Sequence, residues 1–158
     1  MGAGQSMKIG LVSLFVVPAV ALVAGGWSLL ADRPPQDVRL GQQLYQENCA
    51  SCHGANLEGQ ANWKTPDENG ILPAPPHDET GHTWHHGDRL LFEYIKLGGA
   101  AALKKAGIDN FNSGMPGFGD VLSDREIRQT LAYIKSNWPE KLQSLQEQST
   151  KTEAESNG

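Results

Sequence analysis

Residues 47–54 read ENCASCHG and hold both cysteines of the chain, two residues apart, with a histidine directly after the second. Several chemistries use such a pair. A disulfide between Cys49 and Cys52 would close so small a loop that it restrains little of the unfolded chain. A thioredoxin-like redox pair follows a strand in an α/β pattern, and the sequence has no convincing alternating run to form one. A structural zinc site asks for a second pair of ligands at similar spacing, which His77, His82, His85 and His86 leave open as donors.

The fourth chemistry is covalent haem attachment, for which C-x-x-C-H is the specific signal. Two thiols add to two vinyl groups on one edge of a porphyrin, and two intervening residues let one helical turn reach both. The adjacent His53 then supplies the proximal nitrogen to iron. The surroundings agree with this reading. Few large apolar residues, 18 glycines and 9 prolines describe a small domain that gains from an apolar group at its centre. Long loops expected over 54–86 and 107–122 also need something to order them.

Three helices frame the motif. In DVRLGQQLYQENC, Val38, Gly41, Leu44/Tyr45 and Cys49 fall on one face, after Pro34 and Pro35 at the start. GDRLLFEYIKLGG is a second helix, with Asp88 as its expected cap and Gly98–Gly99 as its end, and a short turn follows at AALKKAG. SDREIRQTLAYIKSNWP is the third. Ser123 and Glu126 make a capping box, Ile127, Leu131, Ile134 and Trp138 the buried stripe, and Pro139 the stop. The expected fold class is all-α: three main helices and short helical turns around one covalent haem.

Met115 lies in NSGMPGFGD, while the other two methionines, Met1 and Met7, are at the amino end. Flanked by Gly114, Pro116 and Gly117, it is poorly placed for ordinary core filling and is expected as the distal iron ligand. A thioether there raises the reduction potential relative to a second imidazole.

The order helix, CASCHG, proline-containing loop, middle helix, GMPGFGD and closing helix resembles class I cytochrome c over residues 36–138. The resemblance implies that Gly41 and Tyr45 cross the last helix near Tyr133. It also implies that a loop proline carbonyl receives the ring N–H of His53. Within LPAPPH the expected proline is Pro73, with Pro75 as the alternative. Trp84 is expected to wall the haem and reach a propionate, or simply to pack. The four histidines from His77 to His86 suggest a second metal, a replacement for Met115, or a polar loop.

Outside that domain the chain changes character. Residues 9–31 carry no charge and follow Lys8, a run long enough to span a bilayer with a positive flank that keeps residues 1–8 in the cytoplasm. The expectation is a single-pass anchor with the haem domain on the outer, periplasmic side. A cleaved signal ending near AVA at 19–21 would instead leave a soluble periplasmic protein. Residues 139–158 are polar and expected to be disordered. A net charge of −5 argues against nucleic acid.

The function these features imply is one-electron transfer between redox proteins at the membrane, with no small-molecule substrate and no catalysis of its own. The alternatives are a relay subunit within a larger oxidase or dehydrogenase, and a sensor or peroxidase with an open sixth site.

Overall fold

Pro34 and Pro35 cannot continue a helix backwards, so the first helix among the described residues, α1, starts just after them at Gln36 and runs to Asn48. The structure is a computed structural model that describes residues 1–2 and 34–156. The expected anchor at 9–31 lies outside the described residues. No helix among the described residues is long and apolar enough to cross a membrane.

A second short helix, α2 (Ala50–His53), follows α1 after Cys49. A 3-10 turn covers Thr83–His85, and α3 (Asp88–Leu97), α4 (Gly99–Lys105), α5 (Asp124–Ser136) and α6 (Glu140–Glu155) complete the order. The described residues form no strand, so the all-α expectation holds for them.

The helices α1 and α5 cross at Gly41. A Cβ there would run into the Gln129 backbone carbonyl, so only a glycine lets the two backbones approach this closely. One turn on, the Tyr45 and Tyr133 rings meet with centroids 5.4 Å apart, and Gln129 Nε2 donates to Asp37 Oδ1 at 2.7 Å. The crossing inferred from the resemblance is therefore present. Ser123 and Glu126 form the expected capping box at the start of α5.

Two apolar clusters grow from this crossing. Tyr45, Leu57, Tyr133, Ile134 and Trp138 form one. Leu91, Ile95, Leu122, Ile127 and Leu131 form the other, with Met115 and Phe118 packed against it.

Two expectations need correction. Within the stretch 139–158, expected to be disordered, Glu140–Glu155 form the helix α6. Gln146 on α6 is fully buried, and its Nε2 donates to the His86 carbonyl at 3.2 Å and to Asp88 Oδ1 at 2.7 Å. Nor does Asp88 cap α3. Gly87 holds the N-cap position and brings no side chain. The first amides of α3 are satisfied from α6 instead: Asp88 N–H donates to Thr150 Oγ1 at 3.1 Å, Arg89 N–H to Glu153 Oε2 at 2.9 Å, and Leu90 N–H to Glu153 Oε1 at 3.1 Å. The Asp88 carboxylate accepts from Lys135 Nζ at 2.8 Å and from Gln146.

Glu153 thus does for α3 what an N-cap side chain does in an ordinary helix. Glu153→Ala is expected to lower stability by about 1–2 kcal/mol, read as a lower urea midpoint with unchanged slope. Its ion pair with Arg89 at 3.5 Å adds little, because Arg89 is half exposed. A midpoint equal to that of the wild type would show that the borrowed cap contributes nothing.

Candidate functional site

Cys49 closes α1 and opens α2, so the two cysteines and His53 share one continuous helical turn. Both thiols are free, Cys49 half-buried and Cys52 exposed. Burial, with a smaller effect from neighbouring Cys52, pushes the Cys49 thiol up to about 11. That keeps it a neutral thiol near pH 7.

His53 is buried, and burial holds its imidazole below the usual range despite a hydrogen bond to a backbone carbonyl. That carbonyl belongs to Pro75, 2.9 Å from Nδ1. A carbonyl can only accept, so in the neutral ring the proton sits on Nδ1 and the lone pair on Nε2. This is the tautomer a metal-binding imidazole needs.

The sequence expectation of Pro73 is corrected to Pro75, and the register of the loop explains why. Leu57 O accepts from His77 N–H at 2.7 Å and Ala74 O from Gln60 N–H at 2.9 Å, while Ala74 N–H donates to Gln60 Oε1. These bonds pair segment 57–60 with segment 74–77. With Ala74 O taken by Gln60, the next carbonyl along, Pro75, is the one that meets His53. Gly59 permits the approach: it has φ +68, and a Cβ on it would strike the Pro75–Pro76 peptide.

Met115 is partly buried against the second apolar cluster. Its loop is pinned to the end of α3 and the start of α4 by Gly99 N–H to Met115 O at 3.1 Å, Phe118 N–H to Ile95 O at 2.9 Å and Gly119 N–H to Lys96 O at 3.0 Å. Three backbone bonds thus restrain the backbone that carries the thioether, although glycines surround it.

Trp84 packs against the first cluster and stacks on His85 with ring centroids 3.7 Å apart. Its Nε1 is buried with no partner among the described residues. A buried indole N–H normally donates, so this atom fits an acceptor such as a carboxylate.

Each ring of the histidine cluster has an aromatic neighbour: His77 stacks on His53, His82 on Trp63 and His85 on Trp84, and the rings of His82 and His86 meet edge to face. Among the described residues no group of three or more His, Cys, Asp or Glu side chains could hold a metal ion. The second-metal expectation therefore finds no donor set there.

The cytochrome c family model matches residues 38–138, from the third residue of α1 to two residues past the end of α5. The chain belongs to the cytochrome c family. Covalent haem c and electron transfer are what that membership carries, and the residues present fit the group: two free thiols on one helical turn, an imidazole with Nε2 as its lone-pair nitrogen, and a pinned thioether.

Two curated relatives extend the comparison. The chain is 28% identical over 99 residues to the cbb3-type cytochrome c oxidase subunit FixP of Sinorhizobium medicae (strain WSM419), covering 63% of this chain and 29% of that protein. It is 33% identical over 51 residues to the cbb3-type cytochrome c oxidase subunit CcoP of Rubrivivax gelatinosus, covering 32% of this chain and 17% of that one. The chain thus spans less than a third of the length of either relative. No solved structure matches it. Helix α6 lies beyond the matched region, as an addition to the cytochrome c domain.

Sequence reasoning missed two parts of the site. One is the stacking of His77 on His53, which was hidden because His77 was read as one of a metal-like cluster. The other is α6, whose role in ordering the loop before α3 is carried by polar side chains.

Proposed function

We propose that the chain is a one-electron carrier holding a single haem c through Cys49 and Cys52, with His53 and Met115 as the axial ligands. The observation that carries the reading is the hydrogen bond from His53 Nδ1 to the Pro75 carbonyl, which leaves Nε2 free to coordinate. Haem c, when attached, supplies the ferric/ferrous couple. The protein's own part is to keep the proximal imidazole neutral and buried, and to hold Met115 on a loop that its backbone bonds restrain. With both axial positions filled, the charge changes with little rearrangement of the chain.

The partners are redox proteins, and the relatives point to a terminal oxidase as the acceptor. Both are named as subunits of cbb3-type cytochrome c oxidases. This favours a second reading in which the domain relays electrons inside such a complex. A membrane anchor at residues 9–31 would serve either role by confining the domain near its partner.

The absorption spectrum of the purified haem-loaded protein tests the proposal. A far-red band in the ferric form and no change of the ferrous spectrum under carbon monoxide are expected. A carbon monoxide complex without the band would overturn it in favour of an open sixth site. Co-elution with an oxidase from mild-detergent extracts would place the domain as a subunit, and elution alone as a carrier.

A further inference from the structure

The ring of His77 lies against the ring of His53, with centroids 4.1 Å apart and planes within 19° of each other. The bond from His53 Nδ1 to Pro75 fixes one atom of the imidazole. Rotation of the ring about that bond stays free unless something flat lies against its face. His77 is that flat neighbour.

It is also held so that it cannot yield. Its N–H donates to Leu57 O at 2.7 Å, and its carbonyl accepts from Trp138 Nε1 at 2.7 Å. Its own Nδ1 is 2.8 Å from Thr83 Oγ1, a buried hydroxyl. Its ring and that of Tyr45 meet edge to face, with centroids 6.3 Å apart. These contacts come from the loop, the end of α5, the 3-10 turn and α1 respectively.

We propose that His77 is a positioning residue for the His53 imidazole, fixing its plane and excluding water from its face, and so raising the reduction potential. The inference rests on the reading of His53 as an iron ligand. Its physical basis is that water beside the ligand stabilises the more highly charged ferric state, whereas a dry aromatic neighbour does not. Ring orientation adds a second effect, because the plane of an axial imidazole sets how it overlaps with the metal.

The test compares haem-loaded wild type with His77→Ala, His77→Phe, Thr83→Val and, as a control, His85→Ala, whose ring stacks on Trp84 instead. Redox titration and proton NMR of the ferric form are the readouts. At a fixed ambient potential His77→Ala is expected to raise the ferric-to-ferrous ratio about tenfold, a fall of about 59 mV for a one-electron couple. His77→Phe keeps a flat, dry neighbour and is expected to restore most of that shift. Thr83→Val frees His77 and is expected to move the hyperfine-shifted His53 ring signals.

A potential for His77→Ala that matches wild type or the His85→Ala control would overturn the proposal. So would a His77→Phe protein shifted as far as His77→Ala. Should His77→Ala fail to fold with haem, His77→Phe and Thr83→Val decide: unmoved His53 signals in Thr83→Val, or a His77→Phe ferric-to-ferrous ratio about tenfold above wild type, would sink the idea. Absence of hyperfine-shifted His53 signals from the wild type would instead remove the ligand reading beneath it.

Discussion

Gly41→Ala is expected to destabilise the protein by about 2 kcal/mol or more, despite replacing a glycine inside a helix with the best helix former. Helix propensity alone predicts a gain of about 1 kcal/mol. Against it stands the clash of the new Cβ with the Gln129 carbonyl, and overpacking of a tight contact costs about 1–3 kcal/mol, occasionally more. The clash should win because the struck atom belongs to backbone in the middle of α5, which cannot rotate aside.

Relief would need α1 and α5 to separate. That would loosen Tyr45 from Tyr133 and open both apolar clusters beside the haem motif. Urea unfolding of the haem-loaded protein measures the effect, with Gln42→Ala on the exposed side of α1 as the control, expected within about 0.5 kcal/mol of wild type. A Gly41→Ala midpoint at or above that of the control would mean that the crossing tolerates a methyl group.

Met115→Leu is expected to change chemistry and leave the fold nearly intact. The substitution roughly conserves volume, so its cost in stability should stay below about 1.5 kcal/mol. The three backbone bonds that pin the loop involve no Met115 side-chain atom. What disappears is the thioether sulfur. The expected outcome is loss of the far-red ferric band, a carbon monoxide complex in the ferrous form, and a ferric-to-ferrous ratio raised tenfold or more, at least about 59 mV for one electron. The direction follows because a thioether favours the ferrous state. A variant with an unchanged spectrum and potential would show that another side chain fills the sixth position.

The parts legible in the sequence were those governed by one local rule. Ser123 and Glu126 are three residues apart and cap their own helix, and Ile127, Leu131, Ile134 and Trp138 keep a helical period, so α5 could be read without its neighbours. Gly41 was legible through the family resemblance, which brings the α1–α5 crossing with it. Pro75 was not separable from Pro73, because the choice depends on which carbonyl the pairing of segments 57–60 and 74–77 turns towards His53.

Helix α6 escaped for a different reason. Its docked face is Leu142, Gln146, Thr150 and Glu153, spaced by four, four and three residues, and only the first is apolar. Periodicity in apolar residues does not register a stripe that binds by hydrogen bonds. A search for polar residues at helical spacing would have found it. Asp88 misled in the same way: it sits where a cap belongs, but its carboxylate is taken by Lys135 and Gln146.

The borrowed cap also sets an order in time. Glu153 lies 63 residues beyond Leu90, whose amide it receives, and further still beyond the cysteines. A chain synthesised from its amino end therefore presents Cys49, Cys52 and His53 before the residues that finish α3 exist. Until Thr150 and Glu153 have been made, the start of α3 has water as its partner, and Asp88 and the His86 carbonyl lack Gln146. The thiols are thus offered by a chain whose later loops are still open, and the last turn of α6 closes one of them afterwards.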